Sequence, residues 1–151
     1  MSFPSSASRG TADIVLKIHM AIGQELCIAI VEDDESLRNV LQRLLSALEY
    51  RVECYASARE FLHAAVKSEA TCLLIDVELG AVSGVNMVRE LYASGRKTPV
   101  IFMSGSTDEA IRRRCTEFGC AAFLRKPFTA IELIGALASV HGPSPGTPSR
   151  T

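Results

Sequence analysis

Short apolar runs alternate with stretches of helical period along most of the chain. Cys27-Ile28-Ala29-Ile30-Val31 is followed at once by Glu32-Asp33-Asp34, then by Leu37, Val40, Leu41, Leu44, Leu45 and Leu48 at helical spacing. That pattern predicts a buried strand, an acidic turn and an amphipathic helix. Val52-Glu53-Cys54-Tyr55 predicts a second short strand, and Ser57-Ala58-Arg59-Glu60 has capping-box spacing ahead of Phe61, Leu62, Ala65 and Val66. Cys72-Leu73-Leu74-Ile75 is a third apolar run ending on Asp76, and a turn through Gly80 and Gly84 precedes Val85, Val88 and Leu91. The fourth run, Pro99 to Met103, ends on Ser104-Gly105 and leads into a helix from about Asp108 to Phe118. The fifth, Ala121 to Arg125, ends on Lys126-Pro127-Phe128; Thr129-Ala130-Ile131-Glu132 then repeats the capping-box spacing at the start of a last helix. Five units of strand then helix imply an α/β fold with a parallel sheet covered on both faces.

Composition narrows the class without changing this picture. With 151 residues, 48% of them hydrophobic and 22% charged, the chain has the make-up of one globular domain with tails. The expected division is an extension over residues 1–24, a domain over 25–140 and a Gly/Pro/Ser/Thr-rich flexible tail over 141–151. In the extension, Lys17 and His19 break the apolar run Ile14 to Ala21, which fits an amphipathic or disordered arm, or a start at Met20, better than a secretory signal. A formal net charge of -1 lacks the basic excess of a dedicated nucleic-acid binder. Five cysteines without a C-x-x-C pair read as reduced, structural thiols in a cytoplasmic protein. No apolar stretch approaches the ~20 residues of a membrane span, so no membrane association is expected.

In open parallel sheets, ligands bind beyond the carboxyl ends of the strands. Glu32 and Asp33 after the first strand, Asp76 after the third, Ser104 after the fourth and Lys126 after the fifth all fall there. Taken singly, each has an ordinary structural use as a cap, a turn residue or a solvated cation. Together, three carboxylates with no His or Cys partner are hard oxygen ligands suited to Mg²⁺. An aspartate can be a nucleophile that forms an aspartyl phosphate, and a metal, an ammonium and a hydroxyl would supply charge and donors to phosphoryl oxygens.

These residues resemble the receiver domain of two-component response regulators, the CheY-like family, over about Glu25 to Val140. Ile30-Val31-Glu32-Asp33-Asp34 is similar to the family's acid-pair motif, and Leu74-Ile75-Asp76 to its phosphoacceptor strand. Ser83-Gly84, Met103-Ser104-Gly105 and Lys126-Pro127-Phe128 resemble the Ser-Gly, hydroxyl and Lys-Pro-Phe positions. The resemblance implies a flavodoxin-like sheet of strand order 2-1-3-4-5, with Asp76 as phosphoacceptor. It also implies Glu32, Asp33 and Asp76 as metal ligands, completed by the main-chain carbonyl of Glu78, and favours a cis Lys126-Pro127 bond. Two departures stand out. Leu79-Gly80 replaces the usual Met-Pro, which is expected to loosen that loop, and Phe123 occupies the switch position, where it can rotate but donates no hydroxyl bond.

The implied function is a receiver that takes a phosphoryl group on Asp76 from a sensor histidine kinase or a histidine phosphotransfer protein. With only residues 141–151 after the domain, too few for a DNA-binding module, the expectation is a stand-alone receiver signalling by protein contact. Ser104 is expected to move toward the phosphoryl group and Phe123 to follow it. The switch would reach the face of the fourth helix, fifth strand and fifth helix, where Arg112-Arg113-Arg114 would meet an acidic partner or a second copy. The alternatives are a phosphorylation-independent pseudo-receiver and a haloacid-dehalogenase-like phosphohydrolase. The latter expects Asp where Glu78 stands and its nucleophile on the first strand. A flavin-binding flavodoxin is disfavoured because Glu32-Asp33-Asp34 would repel phosphate.

Overall fold

The computed structural model describes residues 26–141; the expectations for residues 1–24 and for the tail beyond His141 lie outside the described residues. The chain runs β1 (Cys27–Val31), α1 (Glu35–Ala47), β2 (Arg51–Tyr55), α2 (Ala58–Ala64) with a 3-10 turn over Ala65–Lys67, and β3 (Cys72–Asp76). It continues through a hairpin of β4 (Glu78–Leu79) and β5 (Val82–Ser83), α3 (Gly84–Ala93), β6 (Val100–Ser104), α4 (Glu109–Phe118), β7 (Ala122–Arg125) and α5 (Ala130–His141). The large sheet has the order β2-β1-β3-β6-β7 with every neighbouring pair parallel, the flavodoxin-like arrangement expected from the sequence.

The uninterrupted apolar runs conceal a period of two that the two faces of the sheet resolve. Ala29, Val31, Leu73, Ile75, Val100 and Phe102 point into one layer, with Phe61, Val85, Val88, Leu91 and Cys115 from α2, α3 and α4. Ile28, Ile30, Cys72, Leu74, Ile101 and Met103 point the other way, against Leu41 and Leu45 of α1 and Leu133 and Leu137 of α5. Because both faces are covered, a strand residue has no solvent side to be polar on. Polar chemistry is left to the strand ends.

Caps start the helices at those ends. Asp34 Oδ1 accepts from the Ser36 and Leu37 amides at 3.0 and 3.3 Å, and Ser83 Oγ from the Val85 and Asn86 amides. At Thr129 the capping box is complete: its Oγ1 accepts from the Glu132 amide and Glu132 Oε1 from the Thr129 amide, at 3.1 and 2.8 Å.

The β3–α3 connection, where Leu79-Gly80 stands, carries a hairpin. Gly80 takes a left-handed φ of +62° in its two-residue turn, and Leu79 is tucked into the core. The freedom of glycine here makes a tight turn, and the buried leucine anchors it.

At the opposite edge of the sheet, Glu53 of β2 gathers donors from three segments. Its carboxylate accepts from Ser68 Oγ at 2.6 Å, Tyr55 Oη at 2.9 Å, the Glu69 amide at 3.0 Å and Cys27 Sγ at 3.6 Å. Burial pushes its carboxyl up, but these hydrogen bonds outweigh burial and hold it below the usual carboxylate range. A depressed folded-state pKa contributes stability that is present above the ordinary value of 4.5 and lost as pH falls through the lowered one. Glu53→Gln should therefore cost about 1–2 kcal/mol at neutral pH. Urea midpoints of parent and variant should converge in acid; a gap independent of pH would show that the charge contributes nothing.

Candidate functional site

Parallel pairing brings four strand ends to one edge. Val77 N–H donates to the Met103 carbonyl at 2.8 Å, Lys126 N–H to the Ser104 carbonyl at 2.8 Å and Glu32 N–H to the Tyr55 carbonyl at 3.1 Å. The ladder thus continues one step past each strand and sets Glu32, Asp76, Ser104 and Lys126 side by side. Glu32, Asp76 and Ser104 are all buried, at 0%, 3% and 0% exposure, in a chain whose buried side chains are otherwise nearly all apolar. Polar groups so placed need partners.

They have them. Lys126 Nζ donates to Glu32 Oε1 at 2.8 Å and to Asp76 Oδ2 at 3.0 Å, tying the fifth strand of the sheet to the first and third. Glu32 Oε2 accepts from the Asp34 amide at 3.1 Å, and Arg38 reaches back from α1 to the Glu32 carbonyl at 2.8 Å. Asp76 Oδ1 accepts from the Glu78 amide at 2.9 Å. Burial pushes the Glu32 carboxyl up to about 7, with the Lys126 ammonium drawing it back only in part. For Lys126, burial lowers the pKa, but the bonds to Glu32 and Asp76 outweigh it and raise it above the ordinary lysine value.

Carboxylate oxygens of Glu32, Asp33 and Asp76 lie within 4.8 Å of one another, with Asp33 exposed between two buried partners. The donor set is entirely hard oxygen, and each carboxylate oxygen has a second lone pair beyond its present hydrogen bond, so the residues fit a small divalent cation. Beside this cluster a groove of about 540 Å³, lined by Asp34, Ser36, Leu37, Val40, Lys126 and Phe128, opens between α1 and the β7–α5 loop. The Lys126-Pro127 peptide is cis, as the resemblance implied.

The two remaining predicted positions lie on β6 and β7. Ser104 Oγ is buried at the end of β6. Phe123, on neighbouring β7, is partly buried against the core layer of α2, α3 and α4, and the Arg112 guanidinium of α4 sits over its ring at 5.8 Å. Three contacts escaped the sequence reading. The Glu78 side chain accepts from Ser104 Oγ; Arg38 props the acidic turn; and Gly84 packs on the end of β3. A Cβ on Gly84 would lie 2.3 Å from the Asp76 carbonyl oxygen and 2.9 Å from Ile75 Cγ2. Only the Ser83-Gly84 motif hinted at the last of these. Arg38 and Glu78 carried no local signal.

Comparisons with known proteins agree with this geometry. The response regulator protein TmoT of Ectopseudomonas mendocina is 34% identical over 114 residues, covering 76% of this chain and 52% of that protein. The transcriptional regulatory protein FixJ of Azorhizobium caulinodans is 32% identical over 121 residues, covering 80% and 57%. The chain thus spans about half the length of the curated relatives it matches. Among solved structures, the non-phosphorylated HemR receiver domain from Leptospira biflexa superposes with a TM-score of 0.72 at 26% identity, covering 79% of this chain and 96% of that one. The family model described as the response regulator receiver domain matches residues 28–138. A buried acidic cluster bridged by a lysine at the carboxyl edge of a flavodoxin-like sheet, matched in sequence over nearly its whole extent, places the chain in the response regulator receiver domain family.

Proposed function

We propose that this receiver accepts a phosphoryl group on Asp76 and signals through the face formed by α4, β7 and α5. The observation that carries the reading is the Lys126 bridge: an ammonium 3.0 Å from a buried aspartate, beside two further carboxylates, has the charge and donors that a transferred phosphoryl group requires. Receiver domains partner with histidine kinases or phosphotransfer proteins. A donor phosphohistidine would approach over the groove between α1 and the β7–α5 loop. An Asp76 carboxylate oxygen attacks phosphorus, its P–O bond forming as the donor's P–N bond breaks, and the electron pair returns to the imidazole nitrogen, which takes up a proton. Glu32, Asp33, Asp76 and the Glu78 main-chain carbonyl would hold Mg²⁺, which supplies charge neutralisation for the phosphoryl oxygens when bound. Lys126 exchanges part of its contact with Asp76 for the new phosphoryl oxygens.

The test is intact mass: with acetyl phosphate and Mg²⁺ the protein should gain one phosphoryl group, and a chain that gains none is not a phosphoreceiver. Ser104 and Phe123 then couple the site to the output face. Beryllofluoride, standing in for the phosphoryl group, should shift amide resonances from Ser104 through Phe123 into α4. Ser104→Ala should confine the shifts to the acidic cluster. Shifts that stay there in the parent, or spread unchanged in the variant, would exclude this route. The same face is proposed to meet an acidic partner or a second copy, since α4 carries Arg112-Arg113-Arg114.

A further inference from the structure

Glu78 is exposed, yet its side chain is committed. Ser104 Oγ donates to Glu78 Oε2 at 2.7 Å, and the Gly105 amide donates to Oε1 at 3.4 Å. The hydroxyl is held from its other side as well, accepting from the Ser106 amide at 3.0 Å. Among the described residues, Glu78 has no ion-pair partner, so these two donors are what its charge is given. A hydroxyl and a neighbouring amide converging on an anionic oxygen pair form the kind of donor set that phosphoryl oxygens also take.

We propose that the Glu78 carboxylate is an internal competitor for the phosphoryl group: it occupies the Ser104 hydroxyl and Gly105 amide in the resting protein and must be expelled before the β6–α4 loop can close on phosphorylated Asp76. The inference rests on the phosphoacceptor reading above. The geometry ties competitor to site, because the Glu78 amide itself donates to Asp76 Oδ1 at 2.9 Å. Phosphorylation turns the Asp76 monoanion into an acyl phosphate carrying nearly two negative charges, two residues from the carboxylate, so repulsion and competition for donors act in the same direction. Glu78 is thereby a positioning residue that sets a threshold. It stabilises the open arrangement of Ser104 and lowers the active fraction reached at a given occupancy of Asp76.

A double-mutant cycle read by beryllofluoride titration at saturating Mg²⁺ tests this, using the parent, Glu78→Ala, Ser104→Ala and the double variant. Glu78→Ala should bind about tenfold more tightly than the parent, the effect of removing one charge-assisted hydrogen bond from the resting state. In the Ser104→Ala background the same substitution should tighten binding by clearly less, since the contest for the hydroxyl is gone and the remaining repulsion is what is left to relieve. Before metal or beryllofluoride is added, the Gly105 and Ser106 amide resonances should already move in Glu78→Ala. Equal tightening in both backgrounds would mean plain charge repulsion and would overturn the proposal, as would an unchanged affinity in Glu78→Ala. Failure of the parent to bind beryllofluoride at all would instead defeat the phosphoacceptor reading, and this inference with it.

Discussion

Asp76→Asn should take up no phosphoryl group from acetyl phosphate under conditions that label the parent. A carboxamide oxygen is too weak a nucleophile to displace the donor's leaving group, so the loss should be complete. Loss of the fold would not explain it. Lys126 keeps Glu32 at 2.8 Å, and an asparagine oxygen can still accept from the Glu78 amide. Thermal melts of the metal-free variant should match or exceed those of the parent, because the substitution removes one of three clustered carboxylates. Chelating the metal should also stop labelling of the parent. At 4–5 Å and an effective dielectric near 20, each like-charge pair costs roughly 3–4 kcal/mol, which one ammonium does not offset for an incoming anionic donor. Equal labelling of Asp76→Asn would place the acceptor elsewhere.

Among the described glycines, Gly84→Ala should be the most damaging substitution. The added carbon would sit 2.3 Å from the Asp76 carbonyl oxygen and 3.1 Å from its carbon, contacts with backbone that no rotamer change relieves. Either α3 moves off the sheet or the end of β3 moves, and the Gly84 amide bond to the Val77 carbonyl, at 2.7 Å, resists both. A cost of about 3 kcal/mol, at the upper end of overpacking effects, is expected. Because the displaced atoms belong to Asp76, labelling should slow even where the protein remains folded. Gly80→Ala separates the two ways glycine matters. It has open space around it and only a left-handed φ to strain, so its cost should stay near 1 kcal/mol and its labelling near normal. Matching losses for the two variants would remove the steric explanation.

The architecture was legible because each strand is a bounded apolar run and each helix carries its own start signal. Glu32, Asp33, Asp76, Ser104 and Lys126 could be placed at one edge because a parallel sheet sends every strand end the same way. What pattern could not reveal was how the side chains pair once there. Lys126 reaches Glu32 across 94 residues and Ser104 reaches Glu78 across 26, distances at which spacing along the chain carries no information. The hairpin at Gly80 escaped for a related reason: Leu79 looks like a loop residue until the core that receives it exists. Nothing along the chain marks Glu53 within the second strand run, since its donors Ser68, Glu69 and Cys27 are brought near only by the fold.

Two buried cysteines, Cys72 and Cys115, amount to a pair of timers for the opening of the domain. Cys72, on β3, lies in the layer under α1 and α5, and Cys115, on α4 itself, faces the layer it shares with α2 and α3; both are fully buried, and burial pushes their thiols up to about 12 and about 11. In the closed molecule neither offers a thiolate to an alkylating reagent or an oxidant. Each becomes reactive only when its own helical layer lifts, so the two alkylation rates clock the loosening of the two sides of the sheet separately, within one chain and without an added label.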